Sequence, residues 1–228
     1  MRPTCLALAL LTAGACDLDG STGGALGRGR FHYECVEDTD VVCQGFFDAD
    51  AFPAALAVGG RFAMSYAPDG SEPLPVLEPA ASNVLLAEGS VMTFTRTGTS
   101  AVLAMLDGEV FDFVQLEAQE VAEIRVVDPD SGFYELGLTE VELETIEGAV
   151  LEAIPQDVFG RALGGAMEYS WTVDDDSIAE VVSLETLRLV EIEPRAPGTT
   201  TLRVSVGGYE HAMPLTVPEP EHDGEVSE

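Results

Sequence analysis

Four cysteines, three histidines and a large excess of carboxylates are the residues of this 228-residue chain that could do chemistry. Cys35 and Cys43 enclose seven residues. In an exported chain that separation reads as a local disulfide. A redox pair would sit closer, as Cys-x-x-Cys. A metal site would need more Cys or His nearby, where His32 alone is available. His32, His211 and His222 are scattered and form no His-x-x-x-His or Glu-paired motif, so neither zinc hydrolysis nor a Ser-His-Asp triad has support. No nucleophile elbow, P-loop or dinucleotide fingerprint occurs. All ten basic residues are arginines, and a chain without lysine forms no Schiff base. No catalytic residue, no metal site and no cofactor is therefore assigned, and the chain reads as a non-enzyme.

The carboxylates are diffuse. Asp174-Asp175-Asp176 and Asp128-Pro129-Asp130 could offer hard oxygen ligands to calcium between strands, but neither has the spacing of a known loop motif. They read as solvated turn acids. With 41 acidic against 10 basic residues the net charge is −31, which repels phosphate backbones and anionic lipid surfaces. Nucleic-acid binding is excluded on that ground. The excess reads as a solvated surface or an adaptation to salt.

The remaining cysteines lie at the start. Arg2, the apolar run Cys5 to Leu11 and the small residues after it have the layout of a secretory signal peptide, far too short to span a bilayer. Ala13-Gly14-Ala15-Cys16 resembles a bacterial lipobox, with Ala13 where that family prefers Leu. The resemblance implies cleavage before Cys16 and a diacylglycerol on its thiol. Cysteine counting agrees, because pairing Cys35 with Cys43 leaves Cys16 as the odd thiol. The expected product is a lipoprotein held at a membrane surface by its acyl chains. Ordinary signal-peptidase cleavage would give a soluble secreted protein instead. Residues 1–15 are thus expected to be a lipoprotein signal peptide. Residues 16–30, rich in Gly, Ser, Thr and Asp, are expected to be a flexible tether.

From Phe31 onward, short alternating runs recur between Gly, Pro and Asp, among them Arg61 to Tyr66, Val91 to Thr95 and Thr200 to Val206. That pattern predicts half-buried strands and an all-β sandwich architecture. Glu140 to Ala153 could be strand or a short helix. An internal repeat points to two domains. Gly98 to Gly108 is matched by Gly198 to Gly208 at an offset of 100 residues, about the size of one immunoglobulin-like sandwich. The expected domains are 31–118 and 119–218, followed by a disordered acidic tail over 219–228.

The second copy carries Tyr169-Ser170-Trp171-Thr172-Val173, then Asp176-Ser177-Ile178-Ala179-Glu180-Val181, then Pro197-Gly198-Thr199-Thr200. This resembles the bacterial Ig-like (Big) domains over about residues 119–218. The resemblance implies a core Trp171, a Gly198 opening the penultimate strand, and use in adhesins, cell-wall proteins and spacers. The first copy lacks the Trp and has Pro73, Pro75 and Pro79 where the equivalent strand should lie, so a divergent sandwich, distorted or incomplete, is expected there. The combined expectation is two tandem Ig-like β-sandwiches in the cell envelope. Their role would be a non-catalytic binding, adhesion or structural one, with a protein or surface-glycan partner and a membrane contact through the lipid. A passive spacer or assembly subunit, a calcium-stabilised adhesin and a secreted enzyme-accessory domain are the other readings.

Overall fold

The computed structural model describes residues 20–44, 52–70, 73–130, 137–143, 148–184 and 188–219. Cys16, the expected signal peptide, His222 and nearly all of the acidic tail lie outside them.

The chain is all-β, in two tandem Ig-like sandwiches. The first is built from β1 (Ser21–Gly23), β2 (Gly29–Glu34), β3 (Leu56–Ala57), β4 (Arg61–Pro68), β5 (Val76–Pro79), β6 (Leu85–Glu88), β7 (Val91–Phe94), β8 (Gly98–Leu106) and β9 (Glu109–Gln119). Its sheets run β1-β2-β4-β7-β6 and β3-β9-β8-β5. The second is built from β10 (Glu123–Val127), β11 (Val141–Glu142), β12 (Ala149–Gln156), β13 (Tyr169–Val173), β14 (Ala179–Ser183), β15 (Leu189–Pro194), β16 (Gly198–Val206) and β17 (Tyr209–Val217). Its sheets run β10-β12-β15-β14 and β11-β17-β16-β13.

Set side by side, the two orders are the same, with β1 as the sole addition. Even the short parallel pairs β3–β9 and β11–β17 correspond. Alternation explains both cores. On β8 and β9 every second residue turns inward, placing Val102, Ala104, Val114, Leu116 and Ala118 against Phe31, Phe62, Met92 and Phe94 of the facing sheet. On β13 the same rule turns Tyr169 and Trp171 inward and Ser170 and Thr172 outward. Trp171, 9% exposed, stands in the core among Leu202, Val204 and Ile192. The segment whose helix or strand character was open forms β11 and β12 in its described part.

The prolines of the first copy do not distort its sandwich. Pro73 and Pro75 precede β5 and Pro79 ends it, and β5 is an edge strand, where a missing N–H interrupts no ladder. Register shows what replaces the Trp. Trp171 lies opposite Val204, and Leu77 lies opposite Ala104, which is 100 positions earlier.

The tether expectation requires correction from Gly20 onward. Ser21–Gly23 pairs with β2, so this stretch is a hairpin folded onto the first sandwich. The cause is one buried acid. Asp112 falls on the inward side of β9, in the same alternation as Val114, Leu116 and Ala118, and the pairing of β8 with β9 slips just beyond it, at Ala104/Met105, leaving Phe111 without a cross-strand partner. Asp112 is 0% exposed and accepts hydrogen bonds from the backbone N–H groups of Leu26 (2.8 Å), Arg28 (2.9 Å) and Phe113 (2.8 Å) and from Tyr66 Oη (3.1 Å). A Cβ on Gly24 would lie 2.1 Å from Asp112 Oδ2, so only glycine allows the hairpin this close.

Candidate functional site: the junction between the sandwiches

The junction begins in the sequence Leu163-Gly164-Gly165-Ala166. Its two glycines let this segment lie flat against Ala55 to Arg61 of the first sandwich. Ala57 N–H donates to Gly164 O (2.9 Å), Gly164 N–H to Ala55 O (3.0 Å), Arg61 N–H to Ala166 O (2.9 Å) and Ala166 N–H to Arg61 O (2.7 Å). Gly165 has φ +102°, and a Cβ there would come within 3.0 Å of the Gly60 Cα. Ala55 and Ala57 accordingly join the core of the second sandwich.

Around this seam lie charges that are almost never buried without partners. Asp40, 0% exposed, sits in the loop that the Cys35–Cys43 disulfide closes, with Cα atoms 6.2 Å apart. It accepts from Tyr33 Oη (2.6 Å) and Val42 N–H (3.1 Å), and also from the Gly165 backbone across the seam. Burial raises its carboxyl above the ordinary range, against the opposing pull of those donors and of Arg188. Arg188 and Glu152 form an ion pair in which both side chains are buried. Burial lowers the Arg188 guanidinium to about 10, with Asp40 acting in the other direction. Burial, then Asp40, pushes the Tyr33 hydroxyl well above its usual value.

A second clamp lies at the surface. Asp157, 2% exposed, accepts from Phe159 N–H (2.8 Å), Arg161 N–H (2.9 Å) and Arg161 Nε (2.7 Å). Arg161 Nη2 then reaches Glu117 of β9 at 2.8 Å. This fixes a turn whose tip, Val158 and Phe159, is 74% and 75% exposed.

Beside the seam opens a cleft of about 700 Å³ lined by Val58, Arg61, Met167, Glu168, Ser170 and Ser205, among others. It holds no His or Cys, and its Arg61 is paired with Glu37. The Cys35 and Cys43 sulfurs lie near an Asp40 oxygen, but they are joined to each other, which leaves one ligand where a metal needs three or four.

Three of the acids considered for calcium have carboxylates engaged locally. Asp174 pairs with Arg203 (2.8 Å), Asp175 Oδ1 accepts from Ser177 Oγ (2.6 Å), and Asp128 Oδ1 accepts from Asp130 N–H (2.8 Å). His32 lies on β2 and His211 on β17, in different sandwiches. Gly198 opens β16, where a Cβ would press on Ile178 at 3.0 Å.

Sequence reasoning missed Asp40, Asp112, Glu152 and Arg188. On β12 the signal is hidden, because residues 151–156 are buried on both faces and the period-two alternation that flags a solvent-facing Glu is absent. For Asp157 a signal exists, since Asp-Val-Phe-Gly is an Asx-turn sequence.

No protein-family model and no curated protein matches the chain. Among solved structures, domains 4 and 5 of the S-layer protein SbsC share 21% identity at a TM-score of 0.36, covering 63% of this chain and 76% of theirs. InvD of Yersinia pseudotuberculosis shares 12% at 0.34, covering 77% of this chain and 59% of its own. A β-glycosidase from Bacteroides vulgatus shares 12% at 0.33, covering 73% of this chain and only 23% of the enzyme. The architecture therefore rests on the strand order and cores of this chain itself. Among the described residues no helix is long and apolar enough to cross a membrane.

Proposed function

We propose that this chain is an exported envelope protein, lipid-anchored through Cys16, whose two sandwiches form a non-catalytic binding or structural module. The observation that carries export is the Cys35–Cys43 disulfide, a bond that persists in oxidising compartments. The non-catalytic part is supported by the engagement of the buried charges. Asp40, Asp112 and Asp157 each hold backbone N–H groups, and Arg188 holds Glu152, so these groups act in architecture. The Ala13-Gly14-Ala15-Cys16 segment supports lipidation. The mechanism is presentation, in which the anchor retains the chain and a rigid pair of sandwiches exposes its surfaces to a partner.

Metabolic labelling with a clickable palmitate tests the anchor. Label in the wild type and none in Cys16→Ser is the expected result. Label persisting in Cys16→Ser overturns the anchor assignment.

A further inference from the structure

The matched registers of the two sandwiches make one the control for the other. The outward face of β13, β16 and β17 carries the cross-strand rows Ser170–Ser205–Glu210 and Thr172–Arg203–Ala212. It is a solvated face, laced by Arg203 to Asp174 and Glu210. The equivalent face of β5, β8 and β9 carries Val76–Met105–Val110 and Glu78–Leu103–Phe113. Val76 is 64% and Val110 44% exposed, and Leu74, two residues before Val76, is 76% exposed. The shared fold does not require these apolar residues, since the second sandwich does without them. Leu103, Met105 and Phe113 between them are half-buried, and a partly exposed apolar face of this kind marks an interaction surface.

Its ends and its charges identify the occupant. At the junction end stands Glu117, which faces outward four residues after Phe113 and holds Arg161, and the exposed Phe159 ring lies 5.5 Å from the Arg161 guanidinium. The clamped tip therefore rises beside the sheet face as a second apolar element. No arginine occupies the two apolar rows, while Glu78 stands in one of them and Asp107 and Glu109 border Val110. A second copy would set like charge against like charge, and an anionic lipid surface would be repelled by a net charge of −31. The edge of β5 is guarded by Pro75 and Pro79, which disfavours strand addition and leaves the face itself as the contact.

From this we infer that the outer face of β5, β8 and β9, with the Val158-Phe159 tip, docks a protein that presents an apolar surface rimmed by lysine or arginine. The inference deepens the binding role proposed above but does not depend on the lipid anchor. Its test uses the full chain carrying Cys16→Ser, so it stands or falls apart from the palmitate result.

The probe is a fluorescent peptide of alternating Leu and Lys, set against a Ser–Lys peptide of equal charge at 0.15 M salt. The perturbation is the triple variant Val76→Ser, Met105→Ser, Val110→Glu, which installs the side chains that the second sandwich tolerates at the matching positions. Wild type is expected to bind the Leu–Lys peptide at least tenfold more tightly than the Ser–Lys peptide. The triple variant should bring the two within about twofold, with its thermal melt retained. Phe159→Ser, at a tip that is 75% exposed, is a second variant that keeps the fold and should weaken Leu–Lys binding at least threefold. Undiminished Leu–Lys preference in both variants overturns the inference. A wild-type dimer in sedimentation velocity that the triple variant dissolves also overturns it, in favour of a second copy. So does binding to phosphatidylglycerol vesicles that the triple variant abolishes, in favour of lipid.

Discussion

Replacing Asp112 by Ala should release the Gly20–Arg30 hairpin from the first sandwich. The carboxylate is fully buried and receives three backbone N–H groups and the Tyr66 hydroxyl, all within 3.1 Å. A hydrogen bond to a charged acceptor contributes about 1.5–3 kcal/mol, and an orphaned buried donor costs about 1–3 kcal/mol. The four bonds do not add fully, because a detached hairpin lets water reach the Leu26 and Arg28 amides. The expected loss is about 2–4 kcal/mol. Hydrogen exchange should show it locally, with the Leu26 and Arg28 amides losing protection while the β16 and β17 amides keep theirs. Acid supplies a second readout. Burial works against ionisation of Asp112, yet the N–H donors outweigh it and hold the pKa below the ordinary Asp value. A depressed folded value means that the stabilisation is complete above the unfolded pKa of about 4 and fades as pH falls through the lower folded value. The stability gap between wild type and Asp112→Asn should therefore be constant near neutrality and close only in that acid window. Unchanged protection at Leu26 and Arg28 in Asp112→Ala would refute the reasoning.

Three further perturbations address the junction and the staple. Arg188→Met alone should cost about 3–5 kcal/mol in urea unfolding, because it strands the buried Glu152, whereas Arg188→Met with Glu152→Leu should recover most of that loss. Equal loss in the single and double variants would contradict a buried pair. Gly165→Ala should cost about 1–3 kcal/mol, given its φ of +102° and the Gly60 Cα within 3.0 Å, and small-angle scattering should show a more extended chain. An unaltered scattering profile with unaltered stability would refute the close-approach argument. Cys35→Ser with Cys43→Ser opens a loop of eight-residue separation and should lower stability by about 2–3 kcal/mol, read as a lower urea midpoint. An unshifted midpoint would show that the bridge restrains nothing.

The parts legible in the sequence are those governed by local pattern. Period-two alternation and the Asp107-Gly108 and Gly207-Gly208 turns mark the closing hairpins of both sandwiches, and the 100-residue offset survives as matched registers. The hairpin at residues 20–30 was hidden because its composition is that of a linker. What orders it is an acid some 85 positions away, which alternation places on the inner face of β9 but whose partners no local pattern announces. The prolines before β5 misled in another way. They do forbid a central strand, but nothing in the sequence shows that β5 lies at an edge. Asp40, Glu152 and Arg188 read as surface charges because nothing local in the sequence shows that they are buried.

Docking also bears on the choice between a spacer and a presenting module. A spacer needs two sandwiches and a connection between them. This chain holds its two halves by four backbone hydrogen bonds, two facing glycines and a buried carboxylate reaching across the seam. A further clamp runs from Asp157 through Arg161 to Glu117. That last clamp sets the Val158-Phe159 tip, carried by the second sandwich, at a fixed place relative to the apolar face carried by the first. Fixing them removes the entropy that two independently moving sandwiches would lose on engaging one partner. The rigidity and the apolar face are thus two sides of one physical argument. If loosening the seam with Gly165→Ala left Leu–Lys binding untouched while Phe159→Ser weakened it, the tip would act alone and the seam would serve stability only.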